Sequence, residues 1–200
     1  TNGTSDPLDV SGTATLDITT VNDAPTTSAV TLTAIAEDSG ALTIENAQLI
    51  ASAVDQESDT LTVSDLKIAT GSGALVNNNN GTWSYTPAAN DDTSVSFSYT
   101  ITDDGKTNGT SDPLDVSGTA TLDITTVNDA PSGTNITKTT DEDVPFNFQS
   151  DHFAFNDSVD NNNFAGIVIA SLPTTGTLTL SGSSVSLGQS INSSDISNLV

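Results

Sequence analysis

Residues Thr1 to Pro25 read TNGTSDPLDVSGTATLDITTVNDAP, and residues Thr107 to Pro131 read the same, letter for letter. The interval from Thr1 to Thr107 is 106 residues, the length of a domain and too long for a solenoid repeat. Each copy opens on turn chemistry (Asn-Gly, then Asp-Pro), passes through alternating small and apolar residues, and ends in Val-Asn-Asp-Ala-Pro. Alternation with a period of two is the pattern of a half-buried strand. The repeat therefore predicts the last strand of a β-sandwich followed by an inter-domain junction, made twice to one plan. On that frame the chain is a fragment of a longer protein. It holds the C-terminal strand and linker of a preceding repeat (1–25), one complete β-sandwich (26–131) and the N-terminal part of a further repeat (132–200).

Helical periodicity is nearly absent. From Ala29 to Ala36, around Leu61–Leu66, in Thr82–Thr86 and from Val95 to Ile101, Thr, Val, Ile and aromatic residues alternate with polar ones. Gly, Asn, Asp and Pro break these runs at short intervals, and Asn80-Gly81 closes a predicted hairpin. Glu45–Ile50 reads as a single helical turn. About seven strands in one 106-residue period predict an all-β fold of tandem immunoglobulin-like or cadherin-like sandwiches joined by short linkers. Residues 132–200 repeat the opening in altered words, with Phe146, Phe148, Phe153 and Phe155 as candidate core.

Charge narrows the function. The net charge is −23, from 26 acids, 22 of them Asp, against three lysines (Lys67, Lys106, Lys138) and no arginine. So few cations cannot neutralise these acids by ion pairing, and the unpaired carboxylates repel. The balance argues against nucleic acid, whose phosphates require basic side chains, and against anionic membrane surfaces. No apolar run approaches a membrane span. The chain has no Cys, so there is neither a disulfide framework nor thiol chemistry. The lone His152 reads as structural, no Gly-x-Ser-x-Gly elbow is present, and no enzyme activity is expected. Asn80-Gly-Thr and Asn135-Ile-Thr match glycosylation sequons, which arise readily by chance in an Asn- and Thr-rich chain.

The acids are not scattered. Asn22-Asp23 lies at the first junction, Asp55, Glu57 and Asp59 in one polar loop, and Asp103-Asp104 in the loop between the last two strands. In an immunoglobulin-like sandwich the latter two loops share the end at which the chain comes in. Asp23, Asp55, Glu57, Asp59 and Asp103 are therefore expected to converge. An acidic loop is ordinarily just a solvated loop. Carboxylates converging without basic partners instead favour a hard divalent cation, and Ca²⁺ accepts six to eight oxygens in flexible geometry where Mg²⁺ demands an octahedron. Zinc lacks its nitrogen and sulfur ligands. The same logic places Asn128 and Asp129 of the second linker, Glu37 and Asp38 at the far end of the complete domain, and Asp157 and Asp160 of the next loop at a second junction.

The phrases Glu37-Asp-Ser-Gly, Asp55-x-Glu-x-Asp-x-Leu, Asn80-Gly-Thr-Trp-x-Tyr-Thr-Pro, Phe97-x-Tyr-x-Ile-x-Asp-Asp-Gly and Val-Asn-Asp-Ala-Pro resemble the cadherin-like tandem repeats of giant bacterial RTX-type surface adhesins. The resemblance covers residues 1–131, with 132–200 similar to a sister repeat through Leu172-Pro173 and Gly176–Leu180. It implies extracellular, cell-surface extender modules that hold a binding tip away from the cell, support adhesion or biofilm formation, and are stiffened by Ca²⁺ at their linkers. Matched by position, the ligands would be Asn22, Asp23, Glu37, Asp38, Asp55, Glu57, Asp59, Asp103, Asn128 and Asp129, with Asp157 as the counterpart in the following repeat. Two departures stand out. Gln56-Glu57-Ser58 replaces the usual Asp/Gly-rich loop, and the glycine-rich nonapeptide of RTX proteins is absent. Neighbouring repeats of the same chain are the expected partners, together with self-association between copies. The alternative readings are a carbohydrate- or protein-binding sandwich and a subunit of a surface polymer.

Overall fold

The computed structural model describes residues 11–200. The chain forms two compact units, the first running to Thr126 and the second spanning Val127–Val200.

Unit 1 is a two-sheet sandwich. Its strands are β1 (Val30–Thr31), β2 (Ile35–Ala36), β3 (Leu42–Glu45), β4 (Thr62–Thr70), β5 (Ala74–Asn77), β6 (Thr82–Thr86), β7 (Val95–Thr102), β8 (Lys106–Thr107), β9 (Thr110–Ser111), β10 (Asp115–Leu122) and β11 (Ile124–Thr125). One sheet has the order β1-β10-β7-β4 and the other β3-β6-β5, with small pairs β2-β11 and β8-β9. The first and last strands run parallel: Val30 faces Ala120, and Ile35 faces Ile124. The Ala29–Ala36 run predicted as one strand breaks into β1 and β2, which pair with the successive pieces β10 and β11 and so turn with them.

Alternation explains the core. Along β7, Val95, Phe97, Tyr99 and Ile101 are all buried, and the Ser and Thr residues between them face outward. Trp83, Tyr85 and Ile44 come from the opposing sheet, and Ala120, Leu122 and Ile124 from the final strands. Tyr85 and Phe97 meet edge-to-face across the sandwich, ring centres 5.4 Å apart. Residues Asn46–Leu49 form the predicted single turn, α1. Gln48 Oε1 accepts from the Glu45 N–H at 2.8 Å, holding the start of the turn. Leu49 plugs the core and its carbonyl accepts the Tyr99 hydroxyl at 2.8 Å, so the tyrosine is buried without losing its hydrogen bond.

The two copies of the repeated stretch differ. Residues 115–125 form β10 and β11, whereas residues 11–20 lie outside any strand and are exposed throughout. Residues 1–10 of the predicted earlier strand and linker (1–25) lie outside the described residues.

Unit 2 pairs β12 (Ser132–Thr134) with β13 (Ala154–Asn156), β14 (Gly166–Val168) with β17 (Ser190–Asn192), and β15 (Thr179–Leu180) with β16 (Ser183–Ser184). Ser181 and Gly182, both at positive φ, make the two-residue turn between β15 and β16. Ile169, Val185, Ile191, Ile196 and Leu199 form its core, with Phe148, Phe153 and Phe164 half-buried against it. No helix among the described residues is long and apolar enough to cross a membrane.

Candidate metal centre

The register of β4 on β7 decides where the acids meet. Thr62 pairs with Thr102, so the loop leading into β4 and the loop leaving β7 lie at the same end of unit 1. That puts Asp55, Glu57 and Asp59 beside Asp103 and Asp104. A third segment is tied in by the reciprocal bridge between Thr26 and Val54, both bonds 2.8 Å, which brings the Asn22-Asp23 linker alongside. The β8–β9 hairpin, turned by Asn108 and Gly109 at positive φ, closes the fourth side; its Asn108 N–H donates to the Thr20 carbonyl.

Asn22 and Asp103 form the buried floor, at 4% and 3% exposure. The Asn22 amide donates to Asp103 Oδ1 at 3.0 Å and to the Asp112 carbonyl at 2.8 Å. Asp103 Oδ1 also accepts the N–H groups of Gly105 and Leu114, each at 3.0 Å. One oxygen of this carboxylate is thus saturated, while Oδ2 is buried with no hydrogen-bond partner. Asn22 Oδ1, Asp55 Oδ2 and Asp59 Oδ2 are in the same condition. The Asp55, Glu57 and Asp59 oxygens lie within 4.8 Å of one another. Asp55 Oδ1 accepts the Asp59 N–H at 2.8 Å, Glu57 Oε2 the Asp23 N–H at 3.3 Å, and Asp104 Oδ1 the Thr60 N–H at 2.7 Å. In each case hydrogen bonds hold a carboxylate and leave oxygen capacity over. A cavity of about 330 Å³ opens here, lined by Thr20, Glu57, Asp59, Asp104 and Lys106.

Two protonation tendencies follow. Burial pushes the Asp59 carboxyl above the ordinary aspartate value, and the charges of Asp55, Asp104, Asp103 and Glu57 push it further. Burial also pushes Asp103 upward, but the hydrogen bonds from Leu114, Gly105 and Asn22 outweigh it and hold the carboxyl below the ordinary value. Asp103 is therefore fixed as an anion, and Asp59 carries the repulsion of the cluster.

Orphaned buried oxygens are the observation that tests for a cation. Leaving the Asn22 amide oxygen buried and unbonded costs about 1–3 kcal/mol, and the carboxylate oxygens share its predicament. An all-oxygen set of amide carbonyl and carboxylates fits Ca²⁺. Asn22, Asp55, Asp59 and Asp103 would hold it through the unpartnered atoms, with Glu57 at the rim. Gly105 is required beside them, because a Cβ there would overlap the Asn22 side chain.

Other expected ligands lie elsewhere. Glu37 and Asp38 follow β2 at the opposite end of unit 1: Glu37 is buried with its N–H on the Thr125 carbonyl at 2.9 Å, and Asp38 Oδ1 accepts the Asn90 N–H at 3.1 Å. Asn128, Asp129 and Asp157 belong to unit 2. There the Asp129 N–H donates to Asp160 Oδ2 at 2.6 Å, Asp160 N–H to Asp157 Oδ1 at 3.3 Å, and Asn162 to Asn128 Oδ1 at 2.9 Å. Both linkers thus use one device: the N–H of the linker aspartate is caught by a carboxylate from the following loop. Asp104, named with Asp103 in the acidic loop, joins the site although the positional match leaves it out of the ligand set, and Gly105 and the Asp112 carbonyl are site groups that the sequence does not single out. The Asp-Asp-Gly turn is the available signal for Gly105; the main-chain carbonyl has none.

Residues 21–121 match the family described as cadherin-like domain. The chain belongs to that family, an all-β sandwich class whose members are typically extracellular and generally bind Ca²⁺. No match was found among the curated proteins. Among solved structures, the chain is similar to a nucleoside hydrolase-related hypothetical protein from Saccharophagus degradans associated with carbohydrate metabolism, at 14% identity and a TM-score of 0.36. It is also similar to an endo-fucoidan hydrolase of glycoside hydrolase family 107, at 20% identity and a TM-score of 0.35. The alignments cover 52% and 55% of this chain but only 26% and 15% of those proteins, so it spans a small part of their length. Likeness at this level carries no argument about activity.

Proposed function

We propose that the chain is a non-catalytic extender segment of a secreted or cell-surface bacterial adhesin, stiffened by Ca²⁺ where linkers meet domains. The observation that carries this reading is the group of buried, unpartnered oxygens on Asn22, Asp55, Asp59 and Asp103. One of them, Asn22, is a linker residue, and the others belong to the sandwich. A cation shared among them fastens the incoming chain to the body of the module. An extender needs that property, because a rod is only as stiff as its joints. The burial of Trp83, Tyr85, Phe97 and Tyr99 in unit 1 leaves no aromatic platform there for a sugar and favours the spacer reading over a carbohydrate-binding one.

Thermal unfolding checks it. Calcium should raise the melting temperature of unit 1 by several degrees, since a ligand held only by the folded state contributes about 2.7 kcal/mol at a hundredfold excess over Kd. Asp55→Ala with Asp59→Ala should remove most of that rise, and small-angle scattering should show greater flexibility in EDTA. Identical melting and scattering with and without calcium would defeat the proposal.

A further inference from the structure

Among the acids at the linker end of unit 1 stands one basic side chain. Oxygens of Asp55, Glu57 and Asp59 gather within 4.8 Å of one another, and Asp103 and Asp104 follow β7 at the same end. Of the chain's three lysines, Lys138 belongs to unit 2 and Lys67 lies farther along β4, opposite Ser98. Lys106 is the one that lines the acidic cavity, beside Glu57, Asp59 and Asp104.

The β8–β9 hairpin keeps it there. Lys106 and Thr107 pair with Ser111 and Thr110. Thr107 Oγ1 accepts the Asn22 N–H at 3.0 Å and donates to Asp112 Oδ2 at 2.7 Å, and the Asp112 N–H donates to the Gly105 carbonyl at 3.0 Å. The main chain around residue 106 is thus fastened to the linker and to β9. Its side chain is not. Lys106 is exposed, and among the described residues it closes no ion pair with the carboxylates. A lysine is a compact charge on a flexible four-carbon stem; here the base of the stem is fixed and the charge is free to move.

Such a charge acts oppositely on the two states of the site. Without a divalent ion the carboxylates repel one another, and a nearby ammonium relieves them. With an ion held by Asn22 Oδ1 and the unpartnered oxygens of Asp55, Asp59 and Asp103, the same ammonium faces a like charge. Any group that favours the metal-free state weakens the metal's apparent affinity by that preference.

We propose that Lys106 is a built-in counter-ion that competes with calcium for the acid cavity, supporting the metal-free module and loosening the metal's hold. The inference rests on the calcium reading above and adds regulation to it. The joint stiffens only where calcium is abundant, and unit 1 stays folded where calcium is scarce.

Trp83, the chain's only tryptophan, is buried in unit 1, so its fluorescence follows the unfolding of that unit. Melting is recorded across a calcium titration for the unmodified chain, Lys106→Gln, Lys106→Arg and Lys67→Gln. Lys106→Gln should melt lower than the unmodified chain in EDTA and should gain the same calcium-induced rise at roughly three- to tenfold less calcium. Lys106→Arg keeps the charge and should follow the unmodified chain. Lys67→Gln removes the same charge away from the cavity and should follow it too. An unchanged calcium requirement in Lys106→Gln, a melting temperature in EDTA that holds or rises, or an equal gain from Lys67→Gln would each overturn the role of Lys106 and leave the calcium site standing. No calcium response in any of the chains would instead overturn the calcium reading, and this inference with it.

Discussion

Eleven residues, Ser-Gly-Thr-Ala-Thr-Leu-Asp-Ile-Thr-Thr-Val, occur at 11–21 and again at 117–127. At 117–127 they supply most of two strands, with Ala120, Leu122 and Ile124 buried; at 11–21 Leu16, Ile18 and Val21 stand in solvent. Intrinsic preference is the same in both places, so it cannot be what decides. The second copy is a strand because β7 lies on one side of it and β1 on the other. Strand preference expresses the fit of side chains to a partnered, half-buried surface rather than a property of the backbone alone.

Paired substitutions in the two copies separate sequence from surroundings. Leu122→Ala should cost about 2–5 kcal/mol in chemical denaturation of unit 1, the range for an aliphatic removed from a packed core. Leu16→Ala should stay within about 0.5 kcal/mol. The two linker asparagines come next. Asn22→Ala strips Asp103 and the Asp112 carbonyl of a donor and should cost about 1–3 kcal/mol. Asn128→Ala, at an exposed side chain, should be near neutral in the same assay. Third, a Cβ on Gly118 would overlap the Tyr99 ring, so Gly118→Ala should cost about 1–3 kcal/mol by overpacking, whereas Gly12 has open space around it and Gly12→Ala should be silent.

The smallest expected effect is a pH dependence that unit 1 owes to its acid cluster. Asp59 binds its proton more tightly folded than unfolded, so metal-free stability should rise as pH falls through its elevated pKa. Asp103 is shifted the other way. Its contribution is complete above the ordinary aspartate value and is lost as pH falls through its depressed one. Denaturation across acidic pH should therefore pass through a maximum between these two transitions, and calcium should flatten its upper limb. A metal-free profile without that maximum would show that the carboxylates do not crowd one another.

Alternation made β7 readable residue by residue, and Asn80-Gly81 marked the turn between β5 and β6. The stretch Glu45–Ile50 likewise announced the single helical turn, which forms at Asn46–Leu49. The convergence of Asp55, Glu57, Asp59 and Asp103 also followed from loop order, since two loops flanking paired strand ends must share one end of a sandwich. What sequence could not supply was partnership. Nothing in the letters around Asp103 says that Oδ1 would be saturated while Oδ2 stays bare. The same limit applies to Glu37, whose burial depends on β11, a strand nearly ninety residues away.

The parallel pairing of first and last strands has a mechanical consequence. The chain comes into unit 1 just ahead of β1 and leaves just after β11, and β1 and β2 lie beside β10 and β11 in the same direction. Tension applied through the two termini of the module therefore drags these neighbours past each other lengthwise. The rungs between them must yield together under shear instead of peeling open one at a time. A module so wired resists extension best along the axis on which a tether is pulled.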